Sequence, residues 1–216
     1  MQSLIYLVRH GEIDRPTPRR FLGQTDLPLN ESGVRQALAL RDALAAVDFS
    51  QVFTSPLQRA VQTAALINGR PIESLHQIEA FKEIDLGDWE GLSVAEAEAR
   101  FPGAYAQRGR DLAHFRPQGG ESFADLADRC WPALADLASR FAGPLLIVAH
   151  AGVNRAILAR VGNHPLQRLL EIPQDYCCVT RLRADSHGWD AETINFPGLA
   201  APQAAQINLS SRTQRP

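Results

Sequence analysis

The residues Leu4-Ile5-Tyr6-Leu7-Val8 run directly into Arg9-His10-Gly11-Glu12, and this junction constrains the chain more than any other stretch. An apolar run rich in strand-forming residues reads as a buried strand. Such a strand does not continue through arginine, histidine and glutamate, so it ends there and presents them at an opening. An imidazole neutral at pH 7 is a nitrogen nucleophile, a guanidinium is a permanent cation with a planar fork of donors, and glycine permits a sharp turn. Together these groups suit a phosphoryl group.

The arrangement recurs. Pro144-Leu145-Leu146-Ile147-Val148-Ala149 is a second clear strand, and it stops at His150-Ala151-Gly152. Val52-Phe53-Thr54 is a third, shorter one, followed by Ser55-Pro56, which has the form of an N-cap with proline at the first helical position. Arg59 then falls in the first turn of a helix running to about residue 67.

Between these pieces, residues 12–29 carry three prolines and many charges and read as an irregular surface loop. Asn30 caps a helix from 31 to about 46, with Ala37, Leu38, Leu40 and Leu44 on its apolar stripe. Residues 72–78 suggest a short strand, 93–101 a helix, and 102–120 irregular or broken helix. A long amphipathic helix starts at Ser122, with Pro132 kinking it. The spacing further predicts a helix over 153–161, a helical turn over 165–170, and strands over 178–182 and 192–196.

Strands alternating with amphipathic helices argue for an α/β sheet covered on both faces, with ligands bound where strand carboxyl ends meet helix N-termini. His10, Arg59 and His150 then converge on one crevice. The expected organisation is one domain over 1–197 and a loose tail over 198–216.

With 216 residues, 45% of them hydrophobic, the chain can bury one large core. A formal charge of -2 gives no global basic field, so nucleic acid is not the expected partner, and arginines matter by position. Cys130, Cys177 and Cys178 lack any spaced framework and read as reduced, half-buried thiols. No apolar run approaches the ~20 residues of a membrane span and no leader pattern opens the chain, so a soluble cytoplasmic protein is expected. His76, His114, His164 and His187 fit no metal-ligand spacing, and surface or core roles are expected of them.

Four ordered motifs carry a resemblance: Arg9-His10-Gly11-Glu12, then Ser-Pro-Leu-Gln-Arg-Ala at 55–60, Glu-Ile-Asp-Leu-Gly-Asp-Trp-Glu-Gly at 83–91, and Val-Ala-His-Ala-Gly at 148–152. Arg-His-Gly alone arises by chance in roughly one chain in a hundred. In this order and at these intervals, the motifs make residues 4–183 resemble the histidine phosphatase superfamily, the phosphoglycerate mutase-like group. The resemblance implies a three-layer α/β/α sandwich around a mixed, mostly parallel sheet. It implies His10 as phosphoryl acceptor, Arg9 and Arg59 as a clamp, His150 as a further phosphate contact and Glu83 as proton donor. Candidate substrate-binding residues are Arg9, Arg59 and His150 with Gly11, Gln24 and Ala151; no metal and no cofactor are implied. One position departs from the pattern: Pro16 stands where many members carry an asparagine that touches phosphate.

Elementary chemistry fits those roles. A phosphoryl group in flight spreads charge over its equatorial oxygens, so it needs fixed cations around one nucleophile. Arg9, Arg59 and a protonated His150 meet that need, and a backbone carbonyl is expected to hold the second ring nitrogen of His10. Within 83–91, Asp85, Asp88 and Glu90 read as capping or solvated residues and Trp89 as core.

Hydrolysis of a small phosphorylated metabolite is the expected reaction. The additional basic insertions of the glycolytic mutases are not found, so phosphoryl transfer of the mutase type is the alternative, and a phosphate-binding module without turnover is another. The runs Gly-Gly-Glu-Ser-Phe-Ala-Asp-Leu at 119–126, His-Ala-Gly-Val-Asn-Arg at 150–155 and Gln-Asp-Tyr-Cys-Cys at 174–178 look most like the α-ribazole phosphatases of cobalamin synthesis. Oligomeric state is not readable from the chain.

Overall fold

The strand that opens the chain, β1 (Ser3–Arg9), lies inside a sheet whose neighbours on both sides come from far along the sequence. The computed structural model describes residues 2–197, so the tail expected over 198–216 lies outside the described residues. After β1 come α1 (Glu31–Ala43), β2 (Gln51–Thr54), α2 (Gln58–Asn68) and β3 (His76–Gln77). Then follow α3 (Val94–Arg100), α4 (Ala104–Arg110), α5 (Phe123–Arg140), β4 (Gly143–Ala149) and α6 (Ala151–Val161). The antiparallel pair β5 (Cys178–Asp185) and β6 (Gly188–Pro197) closes the described chain.

The six strands are ordered β3-β2-β4-β1-β5-β6. β1, β2, β3 and β4 run parallel, and β5 turns antiparallel against β1. Successive residues of β1 feed opposite faces, as the strand period requires. Ile5 and Leu7 pack with Leu145, Ile147 and the inner faces of α5 and α6, including Leu126, Leu134 and Ile157. Val8 packs with Leu146, Val148 and residues of α1 and α2 such as Leu40 and Val61. Each fully buried aliphatic side chain contributes about 1.5–3 kcal/mol, so a strand apolar on both faces is stable only as this middle layer. The fold is the three-layer α/β/α sandwich with a mixed, mostly parallel sheet that the motifs implied.

Helix boundaries follow their caps. Asn30 accepts from the Gly33 amide at 2.8 Å and starts α1, which ends at Ala43, earlier than the apolar stripe suggested. Ser93 and Ser122 form capping boxes with Glu96 and Asp125 at the heads of α3 and α5. Pro132 lies inside α5, where it removes one backbone donor.

Three expectations are corrected. Ser55 is not the cap residue of α2: the helix starts three residues later, with Leu57 at its cap, and the Ser55 hydroxyl accepts both from the Leu57 amide at 3.3 Å and from His150 Nε2. Residues 72–78 hold mainly a 3-10 turn, Ile72–Ser74, with only two residues of strand. The cysteines are fully buried rather than half-buried, and none is in a disulfide.

The register of the parallel strands places the site. Arg9 pairs with Ala149, and Thr54 pairs with Val148, so His10, Ser55 and His150 each emerge at the same edge of the sheet. Two backbone bonds extend the ladder there: His10 N to the Ala149 carbonyl at 3.0 Å, and Ser55 N to the Val148 carbonyl at 2.9 Å. Strand carboxyl ends and the starts of α2 and α6 thus meet at one point.

Candidate active site

His10 is 5% exposed and held by its own turn. Its Nδ1 lies 2.7 Å from the Gly11 carbonyl. A carbonyl only accepts, so Nδ1 carries the proton and Nε2 keeps its lone pair. Burial, reinforced by the Arg59 and Arg9 guanidiniums, holds the His10 pKa well below the ordinary imidazole range, and the ring is neutral. The turn is fixed from below, because the Gly11 amide donates to Thr63 Oγ1 at 3.0 Å. It also has no room for a side chain: a Cβ at Gly11 would sit 2.7 Å from the Gly33 carbonyl oxygen.

Arg59 reaches the same point from the first turn of α2. Its Nη1 donates to the Thr25 carbonyl at 2.7 Å, its Nη2 to the Gly23 carbonyl at 3.0 Å, and its Nε points at His150 Nδ1, 3.3 Å away. An arginine only donates, so His150 Nδ1 is an acceptor, and its protonated Nε2 donates to Ser55 Oγ at 2.7 Å. His150 is fully buried, and burial together with the neighbouring Arg59 pushes its pKa well below the ordinary range. The expected protonated His150 is therefore corrected: the ring is neutral, and both nitrogens are engaged by protein. It stands 5.1 Å from His10, ring centre to ring centre.

Arg9 lies with its guanidinium 3.9 Å from the Tyr176 ring centre and donates to the Gln174 carbonyl. Tyr176 and Gln174 stand in the 174–178 run that carried part of the resemblance, but no role was expected of either side chain, since an aromatic and an amide in a polar run give no distinctive spacing. Glu83 is half-buried, and its carboxylate accepts from two backbone amides, Gly152 at 3.1 Å and Ile84 at 2.9 Å. The backbone around it is braced by Arg129, which donates to the Ala80 and Lys82 carbonyls at 2.9 and 3.1 Å and pairs with Glu121 at 2.7 Å. Glu121 was read only as part of the 119–126 run, just before α5, and Arg129 not at all, because a lone charge on an amphipathic helix looks like solvated surface.

These groups open on a cleft of about 410 Å³ whose lining includes Arg9, His10, Arg59, Glu83, Ala151 and Gly152. Gln24 is half-buried, and its amide donates to the Glu83 carbonyl at 3.1 Å, so it steadies the acid's backbone. Glu90 is not solvated as expected: it accepts from the Gln24 amide at 2.7 Å and from Thr25 Oγ1 at 3.3 Å, tying the 12–29 loop to the acidic stretch. Asp88 is exposed and Trp89 is buried, as the alternation predicts. Pro16 is exposed. Among the described residues, no group of three or more His, Cys, Asp or Glu side chains is disposed to hold a metal ion. No described helix is long and apolar enough to cross a membrane.

The family model of the histidine phosphatase superfamily (branch 1) matches residues 5–197. The chain belongs to the histidine phosphatase superfamily. This histidine phosphatase is 33% identical over 170 residues to the glucosyl-3-phosphoglycerate phosphatase of Mycolicibacterium vanbaalenii, a match covering 75% of each chain. It is 32% identical over 203 residues to an uncharacterized phosphatase, PhoE, of Bacillus subtilis, covering 90% of this chain and 95% of that one. Among solved structures it matches the α-ribazole phosphatase of Shigella flexneri with a TM-score of 0.82 at 26% identity, covering 93% of this chain and 100% of the other. As a histidine phosphatase the protein is an enzyme, and its four motifs lie on the three strand ends and the acidic stretch just described.

Proposed function

We propose that the protein hydrolyses small phosphomonoesters through a phosphohistidine intermediate. The observation that carries this reading is the state of His10: neutral, its Nδ1 proton bound to the Gly11 carbonyl, its Nε2 free, at a cleft shared with Arg9, Arg59 and Glu83. In the first step His10 Nε2 forms the N–P bond as the P–O bond to the leaving alcohol breaks, and Glu83 gives that oxygen its proton. In the second step water attacks phosphorus, the N–P bond breaks, and Glu83 takes the water proton. Inorganic phosphate leaves, and His10 returns neutral. Arg9 and Arg59 supply the fixed positive charge that the equatorial oxygens require. His150 acts by holding the Arg59 Nε in place, and Ser55 holds His150.

Activity against para-nitrophenyl phosphate in EDTA tests the reaction. The native protein is expected to turn over and His10→Ala to be inactive, while a denaturing quench traps an acid-labile phosphoprotein in the native protein alone. Equal turnover by His10→Ala would overturn the reading. α-Ribazole phosphate is the first natural substrate to try, supported by the runs at 119–126, 150–155 and 174–178 and by the Shigella likeness. Comparable kcat/KM for α-ribazole phosphate, glycerol phosphate and 3-phosphoglycerate would remove it.

A further inference from the structure

Arg9 and Arg59 open on the same cleft but are held in different ways. Arg59 makes three hydrogen bonds, to the Thr25 and Gly23 carbonyls and to His150 Nδ1. Arg9 makes one among the described residues, from Nη1 to the Gln174 carbonyl, and its buried Nε has no partner among them. The face of its guanidinium rests on the Tyr176 ring, 3.9 Å from the ring centre. A cation that stabilises a transition state works by being fixed before the reaction. The position of Arg9 is therefore set by the turn that carries Gln174 and Tyr176.

That turn has no regular structure of its own: residues 172–177 lie between the 3-10 turn Leu166–Glu171 and β5. It is tied from three directions. From α6, Asn154 Nδ2 donates to Gln174 Oε1 at 2.9 Å, both residues being buried, and Arg155 Nε donates to the Ile172 carbonyl at 2.8 Å. From the end of β1, the Arg9 and His10 carbonyls accept from the Cys177 amide at 3.1 and 3.3 Å. From β6, Asn195 forms a reciprocal clasp with Asp175: the Asp175 amide donates to Asn195 Oδ1, and Asn195 Nδ2 donates to Asp175 Oδ2, each at 2.8 Å.

Backbone strain marks the same place. Three described residues other than glycine have positive φ, and two of them are here, Cys177 at 51° and Asn195 at 54°. At Asn195 the ladder slips: Val179 pairs with Phe196 but Arg181 with Thr193, so β6 carries one extra residue and bulges. A bulge re-aims a side chain, and this one delivers the Asn195 amide to Asp175. Such strain persists only where surrounding bonds over-determine the backbone, and the edge strand β6 does not require it for its own pairing.

We infer that the 174–177 turn is a prebuilt seat for Arg9, in which Tyr176 and the Asn195–Asp175 clasp are positioning residues for the phosphate clamp. The inference rests on the phosphatase reading for the chemistry that the clamp serves. Tyr176 does not line the main cleft; it borders a neighbouring hollow with Arg9 and Arg15, so its ring acts through Arg9 rather than on the substrate. The ring also stands 5.7 Å from that of His10, centre to centre, and the experiment separates these two routes.

The test measures inorganic phosphate binding by calorimetry and the kcat/KM for para-nitrophenyl phosphate. The variants are Tyr176→Leu, Tyr176→Phe and Asn195→Gly, each made in the native protein and in Arg9→Gln. Phenylalanine keeps the ring under the guanidinium, and glycine keeps the left-handed backbone while removing the amide. In the native background, Tyr176→Leu and Asn195→Gly should each weaken phosphate binding and lower kcat/KM by about tenfold, while Tyr176→Phe retains at least about a third of both. In Arg9→Gln, where the seated cation is gone, the same substitutions should change either quantity by less than about twofold, the non-additivity of residues acting through one another. Asn195→Asp, which keeps an acceptor for the Asp175 amide but sets two carboxylates together, is the second variant if Asn195→Gly does not fold, and its loss should likewise disappear in Arg9→Gln. An undiminished loss in Arg9→Gln, or no loss in the native background, would overturn the seat; with the native ester turnover intact, the phosphatase reading would stand. Phosphate binding that shows this dependence on Arg9 in a protein without ester turnover would keep the seat and remove the phosphatase reading. A native protein that neither binds phosphate nor turns over the ester would overturn both.

Discussion

Gly152 and Glu83 are fitted to each other: the Gly152 amide donates to Glu83 Oε2 at 3.1 Å, and a Cβ at position 152 would lie 2.2 Å from Glu83 Oε1. The glycine is helical and needs no special backbone conformation, so its lack of a side chain serves the carboxylate. Gly152→Ala is expected to fold, since the colliding atom is the end of a flexible side chain, and to push the carboxylate off its position. Loss of a positioned general acid costs about 10²–10⁴-fold. The kcat for an alkyl phosphate should therefore fall by at least about 10²-fold, and less for para-nitrophenyl phosphate, whose leaving group depends less on a proton. Equal loss on both esters would show that Gly152 acts on something other than the acid.

His10 and His150 are buried neutral, and both have pKa values well below the 6.5 of a free imidazole. The unfolded chain therefore binds protons that the folded one refuses. Stability is full above about pH 6.5 and falls as pH drops below that value, with a slope of up to about 1.4 kcal/mol per pH unit for each histidine. The Tm should decline between about pH 6.5 and 5, and the decline should be shallower in His150→Gln. A Tm independent of pH in that window would contradict two neutral buried rings.

Arg59 anchors the loop as well as facing the cleft. Its two terminal nitrogens bind the Thr25 and Gly23 carbonyls, and its Nε fixes the acceptor face of His150. A lysine keeps the charge but has one point of donation where the guanidinium has a planar fork. Arg59→Lys should lower kcat by about 10²–10³-fold, the range for removing one preorganised donor of a transition-state anion. Retention of more than a tenth of the activity would show that charge alone suffices.

Much of this was legible in the chain, for reasons visible at particular residues. β1 and β4 are apolar on both faces and end at histidines, so their place in the middle layer and the location of the site followed from pattern. Arg59 was legible because a short strand and a turn fixed it on the first helical turn. The protonation of His150 was not, since it depends on burial and on Arg59 donating into its ring, which no spacing reveals. Ser55 misled for a related reason: a serine before proline has the local form of a cap, and its hydroxyl does accept from the Leu57 amide at 3.3 Å, but it also takes the Nε2 proton of a buried histidine 95 positions later, and the helix begins only at Gln58. Local sequence reports local bonds, and the site is closed by distant ones.

The cysteines carry a prediction independent of catalysis. Cys130, Cys177 and Cys178 are inaccessible, and burial pushes each thiol up to about 12. Thiolate is the reactive form, so none should react with a disulfide reagent at pH 8 in the native state. All three should react in guanidinium chloride. Rapid labelling of Cys177 or Cys178 in the native protein would mean that the β1–β5 pairing opens readily.

Arg129 shows how far the acid's support extends from the cleft. It donates to the Ala80 and Lys82 carbonyls and pairs through two nitrogens with Glu121, at 2.8 and 2.7 Å, while Glu121 accepts from the Asp85 amide at 3.1 Å. Residues 82–86 lie between two short 3-10 turns, Glu79–Phe81 and Gly87–Trp89, and belong to no strand or helix, so these bonds help to frame them. Arg129→Ala leaves Glu121 and the carbonyls without partners, and breaking such a half-buried pair should cost roughly 3 kcal/mol. The Tm should fall by several degrees, and kcat should fall with KM little changed, because the phosphate clamp is intact while the acid is loosened. A rise in KM at constant kcat would instead place Arg129 in substrate binding. Arg129→Met with Glu121→Leu, which removes both charges at once, should recover much of the stability while kcat stays low. Recovery of kcat together with stability would mean that packing, rather than these hydrogen bonds, positions Glu83.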